Sequence, residues 1–484
     1  MSFRFDGRTN FIAGRWGDDP SGTQHDAVSP IDGATIGTMA WSTRAAAREA
    51  IAAARQAQPG WGRTSLWDRA RVLRGIADAI RGRQAALADL LTREQGKPIA
   101  EARFEVGKAA DGFDLAADLV KYLEGRTIPA EDTSKRVLTF YRPRGVYGVV
   151  TPWNFPVNIP VEYLAPGLAA GNAIVWTPAP TTALIGAALV QVMADADLPP
   201  GVLNFVTGPG PEVGDEIVSH DGVDGVGFTG SAATGKRIAQ RAAGKAQLLE
   251  LGGNGPVIIL DDADLDKAAT ATAAGCFVNA GQVCSSSERV LVHEAVYDAF
   301  AERMTAAAGT IVIGDPRDEA TTMGPLNNPE VAAKVNAHVD DAVGRGARAV
   351  AGGSRLAALG TDLYFAPTVL TGVGRDALIN TEETFGPVAP LIRVASDDEA
   401  IAAARDNRYG LVSSVFTRDI DRAFRFIEAV PTGIVNVNDT SNYWELHIPF
   451  GGVSGKDSGV GRIGGRYSLE AMSDLKTATF TVDV

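Results

Sequence analysis

The sequence predicts an α/β protein made of two doubly wound α/β lobes and a small additional β sheet. The chain has 484 residues, more than a single hydrophobic core usually serves. Short runs of β-branched residues alternate with amphipathic stretches, and this alternation predicts parallel strands covered on both faces by helices. Two further segments alternate polar and apolar residues without an obvious partner nearby. They predict strands of a separate sheet.

Composition restricts the class of partner. Hydrophobic residues make up 45% and charged residues 21% of the chain, which is typical of a folded globular protein. The formal net charge of −13 disfavours nucleic acid or an anionic membrane as a partner, because both would be repelled. No stretch resembles a signal peptide or a bilayer-spanning run, so we expect a cytoplasmic protein whose partner is a small molecule.

The first lobe begins with helices and continues as alternating strands and helices. Residues after Thr43 and after Trp67 repeat apolar side chains at three- and four-residue spacing, as surface helices do. From Gly145 the runs "GVYGVV", "NAIVW" and "GVLNFV" predict strands, and an amphipathic helix is expected from Ala183. Such a sheet commonly binds a dinucleotide at the carboxyl ends of its strands.

A second alternation starts beyond Gly252 and predicts the other lobe. Its expected strands include "GPVIIL", "RVLVHE", "GPVAPLIRV", "VSSVFT" and "GIVNVND". The segments from Glu131 and from Leu475 are the two alternating stretches without a local partner, and we expect them to pair between subunits of a homodimer or homotetramer. The predicted domains are residues 1–121 with 143–251 for a cofactor lobe, 252–467 for a catalytic lobe, and 122–142 with 468–484 for bridging strands.

The two cysteines predict different roles. Two cysteines in so long a chain do not make a disulfide framework, so Cys276 and Cys284 are interpreted as free thiols. Cys276 lies within a helical pattern and is expected in the core. Cys284 follows Gly281 and Gln282 in a predicted loop, where a thiol can reach a substrate and its backbone N–H can bind an oxyanion. An inert buried cysteine is the alternative.

Two other residues have the chemistry that a thiol nucleophile needs. Asn154, within "TPWNFP", can polarise an aldehyde without titrating, although it could simply cap the next helix. Glu250 ends an apolar run before Gly252, and a carboxylate in apolar surroundings has a raised pKa and can accept a proton near neutral pH. A solvated glutamate at a strand end is the alternative for Glu250.

Six motifs together resemble the aldehyde dehydrogenase superfamily. In order they are "PWNFP" at 152–156, "FTGS" at 228–231, "LELGG" at 249–253, "GQVC" at 281–284, "EETFGPV" at 382–388 and "PFGG" at 449–452. The resemblance extends from about Phe11 to the last residue. It implies NAD(P)-dependent oxidation of an aldehyde or semialdehyde to the acid through a thiohemiacetal and a thioester, followed by hydrolysis. It also implies that Cys284 is the nucleophile, Asn154 an oxyanion donor and Glu250 the base for water.

The cofactor residues come partly from a turn and partly from the resemblance. "GVGFTGSAATGK" predicts a strand, a glycine-rich turn and a helix start, an arrangement that can bind a pyrophosphate. Alone this is weak evidence, because it is not a GxGxxG fingerprint. With the resemblance, and with no metal expected, the predicted cofactor residues are Trp153, Thr177, Pro180, Gly230, Ser231, Gly235, Leu251, Glu383 and Phe385.

The chain departs from the family pattern at two places. Residues 177–180 are Thr-Pro-Ala-Pro, whereas relatives usually have a lysine and a glutamate there that bind the adenosine ribose. NAD and NADP both stay open, and Glu212 in the next loop favours NAD because it would repel a 2′-phosphate. The loop after Phe450 is about two residues longer than the common form, which leaves the role of Lys456 open.

The segment "NDTSNYWELHIPF" is expected to border the aldehyde entrance. Its predicted substrate residues are Tyr443, Trp444, His447 and Phe450, and Val157, Glu162 and Ser285 could line the same tunnel. The aromatic and apolar character favours an aromatic or medium-length aliphatic aldehyde, although these residues could equally serve only loop packing. No arginine is placed clearly enough to indicate a carboxylated semialdehyde.

Two other functions use the same scaffold. A CoA-acylating dehydrogenase would share Cys284 and Asn154 but transfer the acyl group to CoA. The presence of Glu250 disfavours it, because that branch generally lacks the carboxylate. A noncatalytic binding protein would need no nucleophile, and the joint presence of Cys284, Asn154, Glu250 and Glu383 disfavours it, because folding alone requires none of them.

Overall fold

The computed structural model describes residues 3 and 5–483. The helices are α1 (Arg44–Arg63), α2 (Leu66–Gly82), α3 (Gln84–Gln95), α4 (Ile99–Leu119), α5 (Asn158–Ala169), α6 (Ala183–Ala194), α7 (Asp215–Ser219), α8 (Ala232–Arg241), α9 (Leu265–Phe277), α10 (Tyr297–Gly309), α11 (Pro329–Gly344), α12 (Leu378–Thr381), α13 (Asp397–Arg405), α14 (Ile420–Ala429) and α15 (Gly465–Ala471).

The strands alternate with these helices through most of the chain. They are β1 (Asn10–Ile12), β2 (Arg15–Gly17), β3 (Thr23–Val28), β4 (Thr35–Trp41), β5 (Thr127–Ile128), β6 (Lys135–Pro143), β7 (Val146–Val150), β8 (Ala173–Thr177), β9 (Leu203–Phe205), β10 (Gly225–Thr229), β11 (Ala246–Glu250), β12 (Pro256–Ile259), β13 (Arg289–His293), β14 (Arg348–Ala351), β15 (Thr368–Thr371), β16 (Val388–Val394), β17 (Val412–Phe416), β18 (Ile434–Val437), β19 (Gly459–Val460) and β20 (Ser473–Thr481).

The first large sheet has the order β19-β11-β10-β7-β8-β9-β1-β2. Its centre, from β11 to β9, is parallel, and the central strands are almost wholly buried, as a sheet covered on both faces requires. The strands predicted for this sheet are parallel, and the edge strands β1, β2 and β19, which the sequence did not predict, run antiparallel. These edge strands are only two or three residues long, too short to leave a periodic pattern in the sequence.

The second large sheet has the order β14-β15-β16-β13-β12-β17-β18. All its neighbouring pairs are parallel except the one between β14 and β15. Two lobes of parallel strands with helices between them confirm the predicted α/β class. The exact lobe boundaries stay a prediction, since β19 comes from the chain beyond the second sheet and yet joins the first.

The third sheet corrects one expectation. The two segments without an obvious partner are each other's partner, because β20 pairs with β6 over nine residues, from Ser473 opposite Pro143 to Thr481 opposite Lys135. Sequence separation concealed this pairing, since more than 300 residues lie between the strands. Leu138, Phe140 and Phe480 alternate onto one face of this sheet and remain 40%, 43% and 50% exposed.

The first sheet places the predicted site residues together at the carboxyl ends of its central strands. β7, β8, β10 and β11 are neighbours and parallel, so the segments that follow them meet at the same end of the sheet. These segments carry Asn154, Thr177, Gly230 and Glu250. Within residues 3 and 5–483, no helix is both long enough and apolar enough to cross a membrane.

Candidate active site

Cys284 lies in the loop between α9 and β13, where its side chain is partly exposed. The preceding turn holds Asn279 and Ala280 with positive φ angles of 50° and 54°, a conformation that costs energy for residues with a Cβ. The Ser286 hydroxyl helps to hold this turn, because it lies 2.9 Å from the Gly275 carbonyl oxygen and 3.2 Å from the Gly281 carbonyl oxygen and can share its one proton between them. The cysteine therefore lies on a rigidly held loop. Cys276 is buried in the core as predicted.

The two glycines after Glu250 allow three loops to approach one another. A Cβ on Gly253 would lie 2.2 Å from the Cys284 carbonyl oxygen, and a Cβ on Gly252 would lie 2.7 Å from the Glu383 carboxylate. Both distances are shorter than van der Waals contact permits. The "LELGG" motif thus brings the segment carrying Glu250 against the loops of Cys284 and Glu383.

The Asn154 side chain points to the cysteine loop and does not cap a helix. It is buried, and its Nδ2 donates to the carbonyl oxygen of Gln282 at 3.0 Å. The first N–H groups of the following helix are instead satisfied by Glu105, which accepts from Val157 at 2.9 Å and Asn158 at 3.1 Å. An amide has two N–H donors, so the second remains able to serve a substrate oxygen.

A buried ion pair that the sequence did not indicate holds the Asn154 backbone. Lys97 Nζ donates to Glu105 at 2.6 Å and to the Asn154 carbonyl at 2.8 Å. Asn279 Nδ2 donates to the same carbonyl at 3.1 Å. Lys97 also lies 4.0 Å from the centre of the Phe155 ring, a cation–π distance. Lys97 lies in the short connection between α3 and α4, Glu105 lies on α4, and only the fold brings them to Asn154.

Carboxyl groups surround the thiol. Glu250 is 2% exposed, and neither of its carboxylate oxygens has a hydrogen-bond partner in the described part of the chain. Burial and then the neighbouring Glu162 raise the pKa of Glu250 well above its usual range, and Arg462 opposes this shift. Burial and then Glu383, Glu250 and Glu162 likewise raise the pKa of the Cys284 thiol. Burial and the neighbouring carboxylates therefore disfavour the charged forms of both the Cys284 thiol and the Glu250 carboxyl.

Glu383, Phe385 and Trp153 lie together beside the cysteine. Glu383 accepts a hydrogen bond from the Gly253 N–H at 2.9 Å, and the Phe385 ring meets Trp153 edge to face at 5.5 Å. Phe385 has a positive φ of 60°. Glu288 stabilises this conformation by accepting from the N–H groups of Thr384 at 2.7 Å and Phe385 at 2.6 Å. Glu288 is a further residue that sequence reasoning missed.

The turn after β10 forms a concave surface at the start of α8. Ser231 caps this helix by accepting from the Thr234 N–H at 3.3 Å, and the Gly230 N–H donates to the Glu250 carbonyl at 3.0 Å. Gly235 lets the helix approach Leu251, because a Cβ there would lie 2.2 Å from the leucine side chain. The first N–H groups of α8 therefore remain available to an anion.

Thr177 and Pro180 border the same edge of the sheet. Thr177 ends β8, and its buried hydroxyl has no hydrogen-bond partner among the described residues. Pro180 begins a single helical turn that leads into α6. A buried hydroxyl without a partner is costly in a protein interior, so this position suits a ligand that supplies one.

The predicted entrance loop divides its side chains between the core and solvent. Trp444 and Phe450 pack against the same hydrophobic core as Phe155 and Cys284, with ring centres 6.3 Å apart. Tyr443 is exposed and its hydroxyl donates to Glu445 at 2.8 Å. His447 is also exposed. Of the four predicted substrate residues, the structure thus packs Trp444 and Phe450 against the core and directs Tyr443 and His447 outward.

The longer loop after Phe450 is held through Lys456, which binds backbone carbonyls of the second lobe. Lys456 Nζ donates to the carbonyls of Arg405 at 3.1 Å and Asn407 at 2.5 Å, at the end of α13. This contact holds the loop against the second lobe, and β19 then pairs with β11 beside Glu250. In residues 3 and 5–483, no group of three or more His, Cys, Asp or Glu side chains is arranged to hold a metal ion.

Comparison with known proteins agrees with this arrangement. A sequence profile of the Aldehyde dehydrogenase family matches residues 16–478. The chain belongs to this family. As an aldehyde dehydrogenase it is 39% identical to the glutarate-semialdehyde dehydrogenase of Pseudomonas putida, over 98% of this chain and 97% of the relative. It is 40% identical to the NADP-dependent succinate-semialdehyde dehydrogenase of Escherichia coli, over 96% of each chain.

Solved structures show the same fold at high similarity. The crystal structure of succinate-semialdehyde dehydrogenase from Burkholderia pseudomallei superposes with a TM-score of 0.96 at 38% identity, covering 99% of this chain and 98% of that one. The aldehyde dehydrogenase described here is therefore an enzyme that oxidises an aldehyde with NAD or NADP.

The residues at the sheet edge fit such a cofactor. The free N–H groups of α8 suit a pyrophosphate, the buried Thr177 hydroxyl without a partner suits a ribose hydroxyl, and the Glu383 carboxylate can accept a hydrogen bond from a second ribose. The edge-to-face pair of Trp153 and Phe385 provides an apolar surface beside the cysteine. Of the expected cofactor residues, all lie along this edge or in the loops that meet it.

Proposed function

We propose that this aldehyde dehydrogenase converts its substrate to a carboxylic acid through a thioester on Cys284, with water and not CoA as the acyl acceptor. The observation that carries the proposal is the convergence of Cys284 from the loop before β13, Asn154 from the segment after β7 and Glu250 from the end of β11. Each residue type matches one requirement of the chemistry: a nucleophile, an uncharged oxyanion donor and a base.

The first step forms a thiohemiacetal on the cysteine. The thiol releases its proton to solvent water as the sulfur bonds to the aldehyde carbon, and the π electrons of the C=O bond move to the carbonyl oxygen, which gains the negative charge. The free N–H of Asn154 Nδ2 and the backbone N–H of Cys284 bind this oxygen. When bound, the nicotinamide cofactor accepts the hydride that the thiohemiacetal carbon loses, and a thioester remains on Cys284.

Glu250 acts in the second step. Its ionised carboxylate takes a proton from water, the water oxygen bonds to the thioester carbon, and the C–S bond breaks to release the acid. The balance is one aldehyde, one oxidised cofactor and one water giving one carboxylate, one reduced cofactor and two protons. The raised pKa of Glu250 suits a base that must later return its proton. The identities of relatives named as semialdehyde dehydrogenases support this hydrolytic reading over the CoA-acylating one.

For the cofactor we propose NAD in preference to NADP. Residues 177–180 supply no cation to a 2′-phosphate, and the exposed Glu212 lies in the turn Gly210–Gly214 that follows the next strand. A carboxylate there would repel the phosphate and accept a hydrogen bond from a ribose hydroxyl. Glu212→Gln is expected to reduce the ratio of kcat/KM for NAD to kcat/KM for NADP.

The test is the absorbance of the reduced cofactor, measured with purified protein and a panel of neutral and charged aldehydes. We expect reduction without CoA, and a higher kcat/KM for NAD than for NADP. Turnover only in the presence of CoA would move the assignment to the acylating class. A lack of turnover with every aldehyde and both cofactors would contradict the proposed function.

We also propose a homodimer or homotetramer that uses the third sheet. Leu138, Phe140 and Phe480 form an exposed apolar face on β6 and β20, and such a face on a sheet commonly pairs with another chain. The double substitution Phe140→Asp and Phe480→Asp is expected to reduce the mass measured by light scattering. An unchanged mass, with an unchanged circular dichroism spectrum, would contradict this surface as the interface.

A further inference from the structure

Glu162 is a carboxylate beside the thiol that the proposed chemistry does not use. It lies on α5, one turn from the start of the helix that follows the Asn154 loop, and it is only partly buried. Asn158 Nδ2 donates to one of its carboxylate oxygens at 2.8 Å. The Asn158 side chain is itself 8% exposed, and its Oδ1 has no hydrogen-bond partner among the described residues. Asn158 Oδ1 is thus a buried acceptor without a donor, one helical turn from the Glu162 carboxylate.

Glu162 lines a small cavity between α4, α5 and the entrance loop. The cavity has a volume of about 30 Å³, and Leu115, Leu446 and Gly464 are among the residues around it. Glu162 is the one charged side chain among its described lining residues. A volume of this size accommodates a group about as large as a water molecule, which is the size of an ammonium group.

The charges near this cavity favour a cation over an anion. Glu162 raises the pKa of both Glu250 and the Cys284 thiol, so the three groups share one electrostatic environment. A substrate carboxylate would add a further negative charge to a poorly solvated site, whereas an ammonium group would stabilise the ionised carboxylates. The buried Glu250 carboxylate, which has no hydrogen-bond partner in the described chain, strengthens the same preference.

We propose that the aldehyde substrate carries a primary amino group, which Glu162 binds as the ammonium ion while the aldehyde carbon lies at Cys284. Asn158 Oδ1 is the second acceptor for that group. This inference rests on the proposed function and defines its substrate class. It sets the chain apart from relatives whose names specify carboxylated semialdehydes.

The experiment compares aldehydes of matched shape on the intact enzyme with saturating cofactor. The matched pairs are 3-aminopropanal with butanal and 6-aminohexanal with heptanal, in which an ammonium group replaces a methyl group. The carboxylated comparison is succinate semialdehyde. Burial raises the pKa of Glu162 to about 8, so the assays are run at about pH 8.5, where a bound ammonium ion readily keeps the carboxylate ionised.

The expected result is a ratio of kcat/KM, amino over methyl, of about tenfold or more for at least one pair, and a lower kcat/KM for succinate semialdehyde than for butanal. A ratio near one for both pairs, or a preference for succinate semialdehyde, would overturn the inference while leaving the proposed function intact. Failure to oxidise any aldehyde would instead remove the proposed function on which the inference depends.

Two variants test whether Glu162 is responsible. Glu162→Gln keeps the size of the side chain and an oxygen for Asn158 but removes the negative charge. Because that charge is what would bind the ammonium group, we expect the amino-over-methyl ratio of kcat/KM to fall at least fivefold, whatever happens to the absolute rates. Glu302→Gln removes a charge from the exposed side of α10 in the second lobe and should leave the ratio unchanged. An unchanged ratio in Glu162→Gln, or an equal decrease in both variants, would overturn the role of Glu162.

Discussion

Cys284→Ala is expected to abolish aldehyde oxidation, with kcat/KM falling by about 10⁴-fold or more, because no covalent intermediate can form without the sulfur. The measurement is the initial rate of cofactor reduction at aldehyde concentrations from well below to well above KM, with the cofactor saturating. Cofactor binding, followed by quenching of tryptophan fluorescence, should persist, since the side-chain partners of the cofactor are retained. The loss would then lie in the chemical step.

Cys276→Ala is the matched control for the thiol. Cys276 is 1% exposed, and its Sγ donates only to the Ser287 carbonyl at 3.3 Å. We expect this variant to keep activity within a few-fold and to lose about 1 kcal/mol of stability through the missing sulfur. Activity that survives in Cys284→Ala and disappears in Cys276→Ala would contradict the proposed nucleophile.

The raised pKa of the Cys284 thiol predicts how its reactivity changes with pH. Only the thiolate is nucleophilic, so alkylation of the unliganded enzyme by iodoacetamide should be slow at neutral pH and accelerate as pH increases. Mass spectrometry of the tryptic peptide would report the modified cysteine. If alkylation is rapid and its rate is the same at mildly acidic and alkaline pH, the pKa of the Cys284 thiol is not raised, which would contradict the effect assigned to burial and the carboxyl groups.

Glu250→Gln is expected to stop the cycle after the first turnover. The variant should release about one equivalent of reduced cofactor per site in a rapid phase, and its steady-state rate should fall roughly 10²- to 10⁴-fold because water lacks its base. The intact-protein mass should then show the acyl group retained on the enzyme. A strong nucleophile such as hydroxylamine, which needs no base to attack a thioester, should restore turnover in part.

Loss of the rapid phase in Glu250→Gln would contradict this assignment and make Glu250 the base for the thiol. In the unmodified enzyme, deacylation requires the ionised carboxylate, so a rate limited by deacylation should rise with pH until the raised pKa of Glu250 has been passed. The Gln variant should lose that increase. Glu302→Gln, at an exposed glutamate on α10 of the second lobe, serves as the control and should retain both the rapid phase and the steady state.

The sequence was sufficient to predict the catalytic residues but not the side chains that contact them and hold them in place. Cys284, Asn154 and Glu250 could be named because short motifs surround them, and each motif has a local chemical meaning. Lys97, Glu105 and Glu288 carry no such signal, since they lie in ordinary helical or loop sequence. Their importance comes from contacts across the fold: Lys97 binds the Asn154 carbonyl, and Glu288 holds the backbone of Phe385.

Strand pairing shows the same limit. The alternation in β6 and β20 was sufficient to predict two strands. Their pairing and register could not be predicted, because more than 300 residues separate them in the chain. The edge strands β1, β2 and β19 are too short for any period to be visible. Long buried strands were predictable because burial on both faces demands an unbroken apolar run.

The amino-acid sequence by itself determined the α/β class, the family and the identity of the thiol, amide and carboxylate, because these depend on local periodicity and on residue types at short spacing. The tertiary structure decided which groups share an environment. It placed Glu162, Glu250 and Glu383 around one sulfur, and it turned two of the four predicted entrance residues toward solvent. Electrostatic and desolvation energies depend on distances in space, and residues far apart in the chain acquire those distances only when it folds.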